Sequence, residues 1–141
     1  MSLDSIYQIV GSAMNAETVR LNTVASNLAN ANSVGGSESE TYHAKKTVFA
    51  TVYQNNLAGS SSPDYGASVR VAGVVDSPEA LERRYQPDNP KADSKGYVYA
   101  PNVNPVEEMA DMISASRNFA TNVEVLNSAR GMQLKLLKLG G

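Results

Sequence analysis

The chain has 141 residues, of which 14 are acidic and 12 are basic, so its net charge is −2 at neutral pH. This length supports one domain with a modest core, and the charge balance disfavours a nucleic-acid binder, which normally presents a basic face. No stretch reaches the ~18 apolar residues of a transmembrane helix, and the absence of cysteine excludes disulfides, zinc–thiolate sites and thiol catalysis.

The N-terminal residues, Met1 to Ser5, do not resemble a secretory signal. They lack the basic and apolar regions of a cleaved signal peptide. The sequence therefore predicts a cytoplasmic protein, or one that leaves the cell by a route without such a signal.

A heptad pattern predicts a first helix from about residue 3 to residue 32. One row repeats every seven residues and consists of Tyr7, Met14, Leu21 and Leu28. The second row, which Glu17 interrupts, consists of Leu3, Val10, Val24 and Ala31. The two rows alternate in steps of three and four, which is typical of a coiled-coil seam. The helix should end in the breaker cluster of residues 32–36.

A second long helix is predicted from Asn104 nearly to the C-terminus. Asn104 suits the N-cap, Pro105 the first helical position and Glu107 the capping-box position. The seam of this helix is predicted to comprise Met109, Met112, Ser116, Phe119, Val123 and Leu126. Two long helices at opposite ends of a chain can pair antiparallel.

The middle segment has a different composition. Thr47–Tyr53 and Ser68–Val75 are rich in β-branched residues and suit two strands, while Tyr97–Tyr99 suits a short extended stretch. The loop Ala58–Asp64 is flexible by composition. These patterns predict a small β-hairpin with irregular connections, whose thin core needs support from the helices or from neighbouring molecules.

The sequence thus predicts a mainly α fold with a small β-rich insert. Residues 1–35 form the N-terminal helix, residues 36–103 the middle segment and residues 104–141 the C-terminal helix. The two helices are predicted to form one unit, an antiparallel coiled coil.

The surface of the first helix indicates protein neighbours rather than water. Asp4, Glu17 and Arg20 are its three charged residues between positions 4 and 31, whereas a helix facing water normally carries many more. Asparagine is dense in both helices although it disfavours helix formation, and its amide can pair across a packed contact and fix register. The alternative is that these asparagines simply face solvent.

These arguments predict a subunit interface made of seam residues and amides from both helices. Its predicted residues are Leu21, Val24, Asn27, Leu28, Asn30, Asn32, Met109, Met112, Arg117, Phe119, Asn122, Val123, Leu126 and Asn127.

Two sets of motifs resemble known proteins. The segment Ala25–Asn32, ASNLANAN, resembles the N-terminal signature of flagellar axial proteins, which rod and hook subunits share. The C-terminal half is similar to a proximal rod family, flagellar basal-body rod protein C. The motifs that carry this similarity are Gly96-Tyr97-Val98, Pro101–Asn104, Glu108-Met109, Met112-Ile113, Ala115-Ser116-Arg117 and Asn122–Asn127. Phe119 and Thr121 depart from the tyrosine and the alanine-like residue of the family.

The resemblance implies a structural subunit that polymerises helically in the proximal rod of the flagellum. It implies export through the flagellar type III apparatus, without a cleaved signal, into a rod that spans the periplasm. The implied partners are other copies of the chain, other rod proteins, the ring–rod adaptor and the membrane ring. A rod of this kind transmits torque and encloses the export channel.

The residue pattern predicts no catalytic, cofactor-binding or metal site, and neither nucleic acid nor a small-molecule substrate as partner. His43 is the single histidine and has no cysteine or acidic partners nearby in sequence, while Glu107 and Asp111 are explained by helix-start electrostatics.

Three other interpretations compete with the proximal rod. Another axial protein, of the distal rod or hook type, is disfavoured by the short middle segment and the C-terminal motifs. A cytoplasmic coiled-coil adaptor would need charged flanks beside the seam, and a small hydrolase would need a nucleophile–base pair.

Overall fold

The computed structural model describes residues 3–54 and 66–139, so the predicted loop at 58–64 lies outside the described residues. In chain order, the first and last elements are helices, and two β-hairpins lie between them. The elements in chain order are α1 (Leu3–Asn30), a 3-10 turn (Glu38–Glu40), β1 (Lys45–Gln54), β2 (Gly66–Asp76), β3 (Glu82–Tyr85), β4 (Tyr97–Ala100) and α2 (Pro105–Leu139).

The helices α1 and α2 run antiparallel along each other. The Tyr7 hydroxyl, near the start of α1, donates a 3.2 Å hydrogen bond to Gln133, near the end of α2. Further along α1, the Arg20 guanidinium bonds to Asp111 at 2.8 Å. The contacting residues advance along α1 from Tyr7 to Arg20 while they go back along α2 from Gln133 to Asp111. The predicted antiparallel arrangement is therefore confirmed, while its coiled-coil geometry stays a prediction.

The start of α2 and the end of α1 follow local sequence signals. Asn104 caps α2, because its Oδ1 accepts a 3.1 Å bond from the Val106 N–H and its carbonyl accepts a 3.0 Å bond from the Glu108 N–H. The predicted start of α2 is therefore confirmed. The helix α1 ends at Asn30, two residues earlier than predicted, where the Ser33 N–H and hydroxyl both donate to the Asn30 carbonyl.

The buried face of each helix differs in detail from the predicted seam. On α1 the interrupted row is the more buried one, since Val10, Val24 and Ala31 are buried. On α2 the buried residues are Ala115 and Ala129, and the neighbouring Ser116 of the predicted seam is exposed. Both buried positions of α2 are therefore alanines, whose single methyl group lets a neighbouring element approach the helix closely.

The predicted hairpin is present, and a second one accompanies it. Strands β1 and β2 pair antiparallel from Lys45↔Asp76 to Gln54↔Gly66, with an irregularity between Val48 and Phe49. Strands β3 and β4 pair from Glu82↔Ala100 to Tyr85↔Tyr97.

Strand β3 was missed from sequence because it has no apolar alternation, and all four of its residues are exposed. Its stabilisation comes from across the hairpin. The Arg83 guanidinium lies 4.8 Å from the centroid of the Tyr97 ring, and the Tyr85 and Tyr97 rings meet edge to face at 5.3 Å. These contacts involve Tyr97 of the partner strand β4, so the sequence of β3 alone does not predict them.

The core is thin and built from small residues. Among the described residues, the largest fully buried side chains are Val98 and Asn27. The β1–β2 hairpin packs against α1, which agrees with the prediction that the middle segment needs the helices for support. One of the two largest buried side chains is thus an amide, and its contacts tie the helices to the hairpin.

Candidate assembly surface

Asn27 on α1 makes four hydrogen bonds inside the chain. Its Nδ2 donates to the Lys45 carbonyl and to Glu108 Oε1, each at 2.8 Å. Its Oδ1 accepts from the Lys45 N–H at 2.8 Å and from the Tyr42 hydroxyl at 2.9 Å. The residue is 1% exposed, and these four bonds use both donors and both lone pairs of the amide. One side chain therefore joins α1, the start of β1 and the start of α2.

Glu108 is the α2 partner in this junction, and its environment penalises its charge. Desolvation raises the pKa of the Glu108 carboxyl above its ordinary value, the Asn27 hydrogen bond lowers it, and the neighbouring Asp111 and Glu107 carboxylates raise it further. The net shift is upward. The bond to Asn27 thus offsets only part of the cost of holding a carboxylate here.

Asn102 holds the end of the β1–β2 hairpin at which β1 begins and β2 ends. Its Oδ1 accepts a 2.7 Å bond from the N–H of buried Ala44, and its Nδ2 donates a 2.7 Å bond to the Glu79 carbonyl. The Ser77 N–H closes the base with a 2.7 Å bond to the Ala44 carbonyl. Two asparagines, Asn27 and Asn102, therefore hold adjacent residues at the entry to β1.

The exposed surface of α2 carries many large apolar residues. Eight of its large apolar residues are more than half exposed, namely Val106, Met109, Ile113, Met132, Leu134, Leu136, Leu137 and Leu139. Spacing of three and four residues puts Met132, Leu136 and Leu139 on one face. We call these three residues the distal stripe. Exposed apolar patches of this kind mark protein interaction surfaces.

The β1–β2 hairpin adds further exposed apolar surface. Val48, Phe49, Tyr53, Val74 and Val75 are all exposed. A strand pair buried only by its own chain would alternate between covered and solvated faces, whereas here both faces carry exposed apolar residues. The hairpin is therefore a second candidate contact surface, on a different element from the distal stripe.

The predicted interface residues fall into three groups by exposure. Val24 and Asn27 are buried within the chain. The half-buried group comprises Leu21, Leu28, Asn30, Met112, Phe119, Asn122, Val123 and Leu126. The exposed group comprises Asn32, Met109, Arg117 and Asn127. Only the last two groups leave side-chain surface for a neighbour, and the interface role of all fourteen stays a prediction.

Several residues of the Asn27 junction were missed from sequence. Glu108 reads as a helix-start carboxylate, and Tyr42 lies in an apparent loop. No local pattern pairs either of them with Asn27, because the contacts span 81 and 15 residues of sequence. The available signal was Asn27 itself, an amide between the seam residues Val24 and Leu28.

The part of the chain that the structure describes holds neither a candidate metal cluster nor a candidate membrane-spanning helix. No group of three or more histidine, cysteine or acidic residues there could hold a metal ion. No described helix combines the length and apolar character needed to cross a membrane.

Comparison with known proteins matches both ends of the chain. A family model described as "Flagella basal body rod protein" matches residues 8–36, and one described as "Flagellar basal body rod FlgEFG protein C-terminal" matches residues 94–139. The chain is 46% identical over 140 residues to flagellar basal-body rod protein FlgC of Yersinia enterocolitica, covering 99% of each chain. The chain belongs to the flagellar basal-body rod protein C family.

More distant relatives agree with this assignment. The Salmonella typhimurium FlgC is 45% identical over 99% of each chain, and the Bacillus subtilis FlgC is 32% identical over 94% of each chain. The resemblance inferred from the Ala25–Asn32 motif and the C-terminal motifs is confirmed. As a member of the rod protein C family, the chain is a structural subunit of the flagellar proximal rod, located in the basal body, and it assembles with other rod components.

Proposed function

We propose that this rod subunit polymerises by burying the exposed apolar residues of α2 and of the β1–β2 hairpin against its neighbours, so that many copies of the paired helices form a continuous wall. The observation that carries the proposal is the exposure of α2. Of its 35 residues, only Ala115 and Ala129 are buried, while Leu136 and Leu139 are 61% and 85% exposed. An isolated helix with this surface is poorly suited to water.

Within this proposal, the predicted interface residues have different roles. The exposed residues Asn32, Met109, Arg117 and Asn127 contact neighbouring subunits directly. Val24 and Asn27 act inside the subunit by fixing α1 against the hairpin. The antiparallel helices are proposed to pair as a coiled coil, which the half-buried seam residues on both helices support.

The wider partners follow from the family. They are other copies of the chain, other rod proteins, the ring–rod adaptor and the membrane ring, and the type III export apparatus delivers the chain. Contacts of this kind are head to tail, and such contacts produce a helical tube when they do not close into a ring. The resulting role is mechanical: the tube transmits torque and encloses the export channel, without catalysis.

The test is complementation of a strain that lacks the gene. The intact gene should restore swimming and complete rods, whereas Leu136→Asp should leave rings without a completed rod, because it places a charge in a packed contact. Leu136→Met is the matched control and should restore swimming. Soluble Leu136→Asp protein should keep the helix content of the wild type, since the side chain is exposed in the subunit. Normal rods with Leu136→Asp would contradict the proposed surface.

A further inference from the structure

Four pairs of polar side chains cross from α1 to α2 at intervals along the two helices. Their donor–acceptor distances lie between 2.8 and 3.2 Å. The pairs, which we call the polar ladder, are Tyr7–Gln133, Glu17–Asn118, Arg20–Asp111 and Asn27–Glu108. The ladder reaches from the second turn of α1 to its last turn, so it spans most of the contact between the helices.

The two central pairs of the ladder form one connected network. Asn118 Nδ2 donates a 2.9 Å bond to Glu17 Oε1, and Arg20 Nη2 donates a 2.8 Å bond to Asp111. Within α1, Arg20 Nη1 lies 4.0 Å from Glu17 Oε2, as an ion pair. The side chains of Glu17 and Arg20 are 15% and 25% exposed, so water compensates poorly for a lost partner. A displacement that separates Arg20 from Asp111 is therefore unfavourable.

The apolar contacts of α2 specify its register only weakly. Its buried residues are Ala115 and Ala129, and each contributes a single methyl group. In ordinary helix pairs, large side chains that interdigitate set the register, and alanine supplies little of this. A polar contact between packed helices can fix the register instead.

A slip of α2 by one helical turn would move it 5.4 Å along α1, or about four residues. In one direction Arg20 comes opposite Ala115 and loses its carboxylate partner. In the other direction Arg20 comes opposite Glu107, a possible new partner, but Asp111 then enters the position that buried Ala115 occupies. The native register thus satisfies both charge and packing, and Asp111 opposes the second slip on both counts.

We propose that the polar ladder, with Arg20–Asp111 as its central pair, fixes the axial register of α1 and α2 and prevents one-turn slip within the subunit. One-turn shifts of one helix past another are a recognised way in which packed helices move. A rod that transmits torque has to resist such sliding. That mechanical reason rests on the proposed function, whereas the register itself is a property of the single chain.

The register can be measured as the distance between two spin labels on the full chain. The chain contains no cysteine, so Asn22→Cys on α1 and Ser128→Cys on α2 provide two defined attachment sites, and both positions are exposed. Ser128 lies beyond Asn118 towards the start of α1, and therefore at a different height from Asn22. A one-turn slip should change their separation by about 5 Å, whereas the native register should give a single distance.

Asp111→Ala is the decisive variant for this measurement. It removes the native partner of Arg20, and it supplies an alanine for the position of Ala115 after a slip. A second population should appear in which Arg20 lies opposite Glu107. This slip carries Ser128 away from Asn22, so the label separation of that population should be about 5 Å longer.

Glu107→Ala provides the matched controls. Alone it should leave the single native distance unchanged, because Arg20 keeps Asp111. Combined with Asp111→Ala it should abolish the longer distance, because the slipped register then offers Arg20 no carboxylate. A single unchanged distance in Asp111→Ala would overturn the proposal. A longer distance that persists without Glu107 would also overturn it, since that result indicates general loosening.

A second test uses charge reversal in a strain that lacks the gene. Arg20→Asp and Asp111→Arg should each reduce the number of completed rods about tenfold, the factor that corresponds to a lost charge-assisted hydrogen bond. The two changes together should restore rods, because they rebuild the pair with reversed polarity. Rods as scarce in the double variant as in the single ones would refute the inference. Normal rods with Leu136→Asp would instead contradict the proposed assembly surface and leave the register result unaffected.

Discussion

Asn27 on α1 donates a 2.8 Å hydrogen bond to Glu108 on α2. The same amide also holds both backbone polar groups of Lys45. The pair therefore sets where α2 begins relative to α1 and to the hairpin. Asn27 lies within the axial signature motif, and its hydrogen-bonding capacity is used up inside the subunit. Its direct contribution is thus to the shape of the subunit that assembles.

Asn27→Ala should lower the free energy of unfolding by about 2–3 kcal/mol, because it leaves buried partners without their hydrogen bonds. Urea denaturation of the purified chain, followed by circular dichroism, measures this loss. The Lys45 N–H should also lose protection from hydrogen exchange, since its acceptor is Asn27 Oδ1.

Asn30→Ala is the matched control for this substitution. The Asn30 amide donates to the Ser26 carbonyl within α1, so its removal leaves the junction intact and should change stability by about 0.5 kcal/mol or less. Equal losses from Asn27→Ala and Asn30→Ala would show that the junction does not stabilise the subunit.

Glu108→Gln should make the chain more stable at neutral pH, by less than ~1 kcal/mol for a partly exposed group. The amide oxygen of glutamine still accepts from Asn27, while the charge disappears. Because the pKa of Glu108 is raised in the folded chain, the folded state binds the proton more readily than the unfolded state does. The wild type therefore regains this stability as the pH falls through the raised pKa.

The advantage of Glu108→Gln should accordingly shrink from pH 7 towards the ordinary range of a glutamate, in parallel denaturation series of both proteins. Glu107→Gln is the control, because this exposed neighbour occupies the same helix start. Its loss removes a favourable interaction with the helix dipole and should slightly destabilise the chain. An advantage of Glu108→Gln that grows on acidification would contradict the prediction.

Gly96→Ala should destabilise the β3–β4 hairpin by about 1–2 kcal/mol, the cost of a left-handed conformation for a residue with a Cβ. Gly96 has φ of +79°, and an added Cβ would lie 2.8 Å from Tyr85 Cε2. Gly131→Ala is the contrasting variant, because an added Cβ there meets nothing within 4 Å. It should stabilise α2 by up to about 1 kcal/mol. Urea midpoints of the two variants should therefore move in opposite directions, and a shared direction would refute the argument.

Local signals in the sequence were sufficient for the elements that depend on near neighbours. Asn104 and Pro105 predict the start of α2 because capping involves residues within one turn. The β-branched runs predict β1 and β2 because strand propensity depends on the residues within the segment itself. Strand β3 was not predicted, because its Arg83 is stabilised by Tyr97 of β4, which lies beyond the turn between the two strands.

The candidate site divides in the same way. The sequence indicates that amides and seam residues of both helices matter, and the ASNLANAN motif indicates the family. It does not reveal that Asn27 is saturated within the chain or that Ala115 rather than Ser116 is buried. Each of these facts concerns residues far apart in sequence.

The sequence by itself therefore determined the family, the two long helices, the N-cap of α2 and the strands of the first hairpin, because periodicity, capping and strand propensity act over a few residues. Only the tertiary structure decided which amides are used inside the subunit and which apolar faces remain open. The reason is that burial and hydrogen-bond partners depend on how α1, α2 and the hairpin approach one another, and no local pattern encodes that approach.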